Sequence, residues 1–127
     1  MKYKLKKETK PRLTTFGKYK AVAVHRQTVD TQRILKEVAE RDGISEAEVL
    51  TVMIGLSSVI NKHLRQGDKV RLDTWGLLKL EIESDKVENE EDFRARKHIH
   101  GVRLHFLPES KHGSQELYKD VSFERDK

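Results

Sequence analysis

Two stretches in the second half of the sequence alternate apolar and polar residues with a period of two. In LKLEIE, residues 78–83, and again in VRLHF, residues 102–106, every second residue is apolar. Because successive side chains of a strand point to opposite faces, the apolar residues of both stretches can share one face. The pattern predicts an antiparallel strand pair formed by residues 69–84 and 101–107.

The first 27 residues contain two further candidate strands. KYKLK, residues 2–6, alternates lysines with Tyr and Leu, and YKAVAV, residues 19–24, is rich in small and β-branched residues. The segment between them holds Pro11 and Gly17, which are typical of loops. We therefore expect an N-terminal extension, residues 1–27, made of two strands joined by a loop.

Helical periodicity replaces alternation in the segment that follows. A first helix capped by Thr28 or Asp30 is predicted to end at Gly43. A capping-box pattern, S-x-x-E, begins at Ser45 and predicts a second helix that Gly67 terminates. Together these two helices form a predicted helical base.

The second helix carries more apolar residues than packing against a single sheet requires. Its apolar positions cover more than the ~100° stripe that packs a helix against a sheet, so we expect it to be buried on two sides. In so short a chain the second side is predicted to meet the same helix of another copy, in a two-fold homodimer. The predicted interface residues are Val49, Val52, Met53, Leu56, Val59 and Ile60.

Residues 85–100 connect the predicted strand pair and are too many for a tight turn. They form either a protruding arm or an ordered excursion. A third helix is predicted near residues 114–119, followed by a tail. We therefore expect one α+β domain, residues 1–127, whose parts are the extension 1–27, the helical base 28–66, the strand pair and arm 67–108, and the C-terminal helix and tail 109–127.

Charge is distributed unevenly along the chain, whose formal net charge is +5. Residues 1–30 hold nine Lys or Arg and two acidic residues, whereas residues 67–92 hold four and nine. Basic clusters indicate anionic partners. The second limb of the arm and the first strand supply the candidate contacts to such a partner, which are Arg94, Arg96, Lys97, His98, His100, Arg103, Lys4 and Lys6.

Several classes of chemistry find no support in the sequence. There is no cysteine, which excludes disulfides and thiolate sites. His98 and His100 share a strand face, but no third ligand is defined, so we predict neither a metal nor a cofactor. No catalytic constellation or small-molecule site is evident, and an enzyme is not expected. Without an apolar segment long enough for a membrane span or a signal peptide, the protein is predicted to be cytoplasmic.

Two aromatic residues each have two interpretations. Trp75, beside Gly76 at a strand junction, is expected to be a core anchor rather than a platform for a base. Phe93 is either an intercalating wedge or a side chain that folds back and pins the connection.

One long stretch of the sequence resembles a known family, and it reads VAERDGISEAEVLTVMIGLSSVINKHLRQGDKVRLDTWGLLKLEI. This stretch resembles the bacterial HU/IHF family of histone-like DNA-binding proteins, in which a helix ending in Gly, a Ser-capped dimer helix, a following Gly and an aromatic-Gly pair recur in this order. The similarity covers residues 31–84 well and 101–119 loosely. The N-terminal strands, EEDFRA and IHGVR look more like an HU-related branch of that family.

The resemblance implies a dimer whose strand pairs form a saddle on double-stranded DNA. Proteins of this kind bend the duplex and depend on phosphate charge and DNA deformability, so weak sequence selectivity and a nucleoid location are expected. The resemblance makes the basic residues of the arm's second limb and of the first strand the candidate DNA contacts, and Lys111 is added to them because it aligns loosely with a family lysine that contacts phosphate.

The arm departs from the family pattern. Glu81 and Glu83 stand where ordinary HU has arginines, and no Pro occurs between Ser84 and Phe106 to act as a wedge. On one interpretation the two glutamates pair across the strands with Arg103, His105 or nearby cations. On the other, the DNA saddle is lost and the acidic arm meets a protein partner.

Overall fold

The computed structural model describes residues 1–73, 75–108 and 118–127. The chain divides into two compact units. The N-terminal unit consists of Met1–Ile34 and Tyr118–Lys127, and the central unit consists of Leu35–Leu117. The central unit is thus inserted in sequence between the two parts of the N-terminal unit.

Three strands form the sheet of the N-terminal unit. Strands β1 (Lys2–Lys7) and β2 (Tyr19–Val24) pair antiparallel, as predicted. A two-residue strand at Glu124–Arg125, β6 in chain order, pairs parallel with β1, so the strand order is β2-β1-β6. The interpretation of the last residues as a tail was therefore wrong.

The two faces of this sheet differ in chemistry. Tyr3 lies opposite Ala23 and Leu5 opposite Ala21, which gives one apolar face. Lys6 lies opposite Lys20 on the other face, because neighbouring residues of a strand point to opposite sides. The alternation thus places Lys2, Lys4 and Lys6 on one face and Tyr3 and Leu5 on the other, although Val22 and Val24 also lie on the lysine face.

Both predicted helices are present, and each begins at a side-chain cap. Helix α1 (Thr31–Asp42) follows Asp30, whose carboxylate accepts from the Arg33 amide at 3.0 Å. Helix α2 (Glu46–Arg65) follows Ser45, whose hydroxyl accepts from the Glu48 amide at 3.1 Å. Of the two predicted caps for α1, the structure selects Asp30. Each cap satisfies one of the amides that a helix start leaves without an intrahelical partner.

Gly67 ends α2 in a Schellman motif. The Gly67 amide donates to the Leu64 carbonyl at 3.1 Å, and the Asp68 amide donates to the His63 carbonyl at 3.0 Å. Gly67 has a φ of +91°, in the left-handed region that only glycine adopts without strain. The motif turns the chain directly into the sheet of the central unit.

That sheet consists of β3 (Val70–Leu72), β4 (Gly76–Ser84) and β5 (Ile99–Pro108), all antiparallel and in the order β3-β4-β5. Residues 69–84 thus contain two strands with a turn between them, and Trp75 lies at this strand junction, as predicted. The register of β4 and β5 confirms the predicted apolar face, since Leu78 lies opposite Phe106, Leu80 opposite Leu104 and Ile82 opposite Val102. Helix α2 contacts β3 and β4.

The apolar core of the described residues is small and comprises Leu35, Ala39 and Leu64. Trp75 is 61% exposed, so its interpretation as a core anchor was wrong for the single chain. Trp75 lies on the turn between β3 and β4. Because β3 has only three residues, it provides little apolar surface against which the ring could pack. No single helix in the described ranges is long and apolar enough to cross a membrane, and α1 and α2 meet that test only as a pair bent by 116°.

The left-handed conformation of Gly67 makes a specific prediction. Gly67→Ala should lower the free energy of unfolding by about 1 kcal/mol, because a Cβ is strained at positive φ. Gln66→Ala is the matched control, since the exposed residue before Gly67 has a right-handed φ of −80°, and the substitution should change that free energy by less than about 0.5 kcal/mol. Urea unfolding measures both. Equal effects of the two substitutions would contradict the assignment of the motif.

Candidate functional site

The connection between β4 and β5 is an ordered excursion, which we call the tip (residues 85–98). It contains a 3₁₀ turn at Glu90–Asp92 and one helical turn, α3, at Ala95–His98. The Asp85 amide donates to the His98 carbonyl at 2.8 Å and closes the tip at its base. Of the two predicted alternatives, the ordered excursion is therefore confirmed.

The two histidines of the predicted DNA site hold the tip together. The Arg94 amide donates to Nδ1 of His98 at 2.9 Å, and the rings of Phe93 and His98 lie 5.3 Å apart between centroids. Nε2 of His100 lies 2.7 Å from a carboxylate oxygen of Asp85. Among the described residues no three His, Asp or Glu side chains form a group that could hold a metal ion.

Two of the predicted arginines are also engaged in the protein. The Arg94 guanidinium donates to the carbonyls of Glu91 at 2.7 Å and Phe93 at 2.9 Å, which fixes the path of the 3₁₀ turn. The Arg103 guanidinium donates to the Glu81 carboxylate at 3.2 Å. These side chains can bind a ligand only by sharing or giving up these partners.

Arg96 and Lys97, by contrast, are exposed and make no side-chain interaction within the described part of the chain. Both lie on α3. Lys86 is a third exposed cation of the tip. It follows Asp85, whose amide donates to the carbonyl of His98, the residue next to Lys97. Sequence reasoning missed Lys86 because it lies in the acidic run SDKVENEED. The structure thus places three available cations at the end of the strand pair.

Glu81 lies among cations on the polar face of β4 and β5. Its carboxylate is 3.2 Å from the Arg103 guanidinium, 3.5 Å from the Lys79 ammonium and 3.9 Å from the His105 ring. The hydrogen bond from Arg103, with smaller contributions from the charges of His105 and Lys79, lowers the pKa of Glu81 below its ordinary value. Pairing across the strands is therefore confirmed for Glu81. Glu83 lies opposite Gly101 and makes no ion pair within the described ranges.

The predicted dimer residues of α2 divide into two groups. Val52, Leu56 and Val59 are 68%, 52% and 55% exposed in the single chain. The other three are half-buried, and they are Val49, Met53 and Ile60. The exposed group has the i, i+4, i+7 spacing of one helical stripe, so α2 presents a continuous apolar strip to solvent.

The N-terminal lysines are separated in the structure. Lys6 lines a cleft at the end of the β1–β2 hairpin, whereas Lys4 lies opposite Val22 in the middle of the strand pair and does not line that cleft. Lys111 and residues 114–117 of the predicted third helix lie outside the described residues.

Comparison with known proteins places these features in a family. A family model for the HU domain fused to a winged helix-turn-helix, Ig or glycine-rich motif matches residues 1–125. The chain belongs to the HU-HIG family. The HU resemblance of the sequence is thereby confirmed at the level of the HU domain. The mixed α+β architecture is consistent with this membership.

A solved structure has a similar fold. It is that of a presumed bacterial DNA-binding protein from Bacteroides vulgatus ATCC 8482, with a TM-score of 0.69 and 13% sequence identity. The alignment covers 98% of this HU-HIG chain and 47% of that chain, so the present chain spans about half the length of the other. No curated protein matches the sequence.

The lowered pKa of Glu81 predicts a pH dependence of stability. A carboxyl group with a lowered pKa stabilises the fold above its ordinary pKa, and this contribution is lost as the pH falls through the lowered value. Glu81→Gln should therefore be less stable than wild type above about pH 5, and the difference should shrink below about pH 4. Thermal unfolding from pH 3 to pH 7 measures it. Glu83→Gln is the control on the same strand face, and an identical pH profile for both variants would refute the assignment.

Proposed function

We propose that this chain is an HU-like DNA-binding protein with weak sequence selectivity, acting as a homodimer in the bacterial nucleoid. The observation that carries the proposal is the set of exposed cations on the tip, Arg96, Lys97 and Lys86. Each lies at the end of the strand pair that the HU resemblance assigns to the DNA-binding arm. Lysine and arginine side chains on such a surface bind phosphates, which fix position on the duplex without reading its sequence.

The contacts within the tip decide which predicted residues take part. Arg94, His98, His100 and Arg103 stabilise the fold through hydrogen bonds to protein atoms, so they support the DNA surface rather than form it. Phe93 stacks on His98, and it can insert between base pairs only by leaving that ring. Phosphate binding by the tip therefore does not depend on a wedge.

The exposed apolar strip on α2 supports a dimer. Val52, Leu56 and Val59 are 68%, 52% and 55% exposed in the single chain. Burial of this strip against its copy would remove apolar surface from water at roughly 25 cal/mol per Å².

The DNA-binding proposal is tested by fluorescence anisotropy of a labelled duplex at several salt concentrations. Wild type should bind with an affinity that falls with salt. Arg96→Gln/Lys97→Gln should reduce the slope of log K against log salt by about 0.9 for each phosphate that the variant no longer neutralises. The control variant Lys36→Gln/Lys127→Gln removes the same charge from exposed positions outside the tip and should leave the slope unchanged.

Two outcomes would overturn this proposal. Absence of binding by wild type at low salt would reject DNA as the partner. An equal loss of affinity in the tip variant and the control variant would show that net charge alone, and not the tip, determines binding.

The dimer is tested by sedimentation equilibrium. Leu56→Asp should convert dimer to monomer, because a carboxylate buried in an apolar interface has no partner to compensate its desolvation. Asn61→Asp places the same charge on the opposite side of α2 and should leave the dimer intact. Circular dichroism of both variants checks that the helix is retained. A wild-type protein that sediments as a monomer at all concentrations would reject the dimer.

A second candidate function is binding of a protein partner through the acidic part of the tip. It is favoured by three consecutive exposed carboxylates, Glu90, Glu91 and Asp92, which make no ion pair with a cation within the described residues. These groups repel phosphates and attract a basic surface. A duplex that fails to bind would direct the search to basic protein partners of this turn.

A further inference from the structure

The hairpin of β1 and β2 ends in a cleft to which the arm does not contribute, and which we call the lysine cleft. Its volume is about 490 Å³. The chain enters it from β1 through Glu8 and returns to β2 through Lys18, and the Glu8 amide donates to the Lys18 carbonyl at 2.9 Å. The residues that line it are Lys6, Lys7, Glu8, Thr9, Lys10, Thr15, Lys18, Tyr19 and Lys20.

The charges in the lysine cleft are not compensated by the protein. Five of the nine lining residues are lysines and one, Glu8, is acidic. One carboxylate oxygen of Glu8 accepts from the Lys10 amide at 2.9 Å and so stabilises the turn of the backbone at residues 8–10. None of the five lysines makes a salt bridge within the described part of the chain. Like charges held close together repel, and bound anions would relieve that repulsion.

The backbone of the hairpin holds these lysines together. Lys6 lies directly opposite Lys20, and Lys7 lies opposite Tyr19. The Lys7 ammonium is 6.0 Å from the centre of the Tyr19 ring. The connecting segment is itself hydrogen-bonded, with the Gly17 amide donating to the Glu8 carbonyl at 3.0 Å. The cleft is therefore a structured feature rather than a run of charges on a loop.

We propose that the lysine cleft binds the phosphate backbone of DNA and forms a second contact region, separate from the tip. This inference rests on the proposed DNA-binding function and adds a site in the N-terminal unit. Phosphate is the chemistry that fits best, because lysine ammonium groups bind it as point charges without a fixed hydrogen-bonding geometry. A polyanion can engage several of the five lysines at once, as a single carboxylate cannot.

The test compares two triple variants in the same salt-dependent anisotropy measurement. Lys10→Gln/Lys18→Gln/Lys20→Gln removes three charges from the lysine cleft, and Lys36→Gln/Lys119→Gln/Lys127→Gln removes three from exposed positions elsewhere. The cleft variant should reduce the salt slope by about 0.9 for each phosphate that it no longer neutralises, and the control should leave the slope near the wild-type value. Circular dichroism and thermal unfolding check that both variants fold.

A second measurement uses the unaltered protein. Lysines are acetylated with and without saturating duplex, and the modified residues are quantified by mass spectrometry. Lys10, Lys18 and Lys20 should be protected by DNA several-fold more than Lys36 and Lys119. Unchanged acetylation of the cleft lysines would overturn the second contact region.

The outcomes separate this inference from the function on which it rests. If wild type binds the duplex and the tip variant weakens it, but the cleft variant matches the control, the DNA-binding function stands and the lysine cleft is rejected. If wild type does not bind the duplex, the DNA-binding function itself is rejected. Protection by inorganic polyphosphate but not by duplex would also reject the cleft as a DNA contact.

Discussion

The antiparallel pairing of β4 with β5 is the constraint on which the central unit depends. Its register is regular from Gly76 opposite Pro108 to Glu83 opposite Gly101, and it shifts by one residue at a bulge before Ser84 opposite Ile99. Since side chains alternate across a strand, this register places the apolar residues of the two strands against one another and collects the charges on the opposite face. It also brings Asp85 to His98, so the tip is closed by the same pairing that builds the sheet.

This register explains why a basic chain carries an acidic strand. Glu81 is the anion around which Lys79, Arg103 and the His105 ring are arranged, and without it the charges of Lys79 and Arg103 would lose the carboxylate that pairs with both. The cations of the arm are therefore of two kinds. Some compensate carboxylates or satisfy carbonyls inside the protein, whereas the side chains of Arg96 and Lys97 are exposed and make no interaction within the described residues. A count of basic residues cannot separate these two kinds, but their contacts can.

The sequence was sufficient for those features that local patterns determine. Alternation predicted the pairing of residues 78–82 with 102–106, and the caps Asp30 and Ser45 marked where the helices begin. The sequence was insufficient for features that depend on contacts between residues far apart in the chain. The exposure of Trp75 depends on what the rest of the chain can place over it, and a strand as short as Glu124–Arg125 carries no periodic signal. Likewise, the partners of Arg94 and His98 follow from the turn of the tip and not from their spacing.

The parallel pairing of β6 with β1 has a consequence for how the protein forms during synthesis. Strand β1 is completed only by residues 124 and 125, after the whole central unit has been made. The central unit is contiguous in sequence and can fold while the β1–β2 hairpin still has an open edge. Closing so long a segment costs conformational entropy that only a late contact offsets. Because β6 pairs only with Lys2 and Tyr3, the rest of the β1 edge has no strand partner on that side even in the folded unit, and the lysines of β1 disfavour its pairing with other chains.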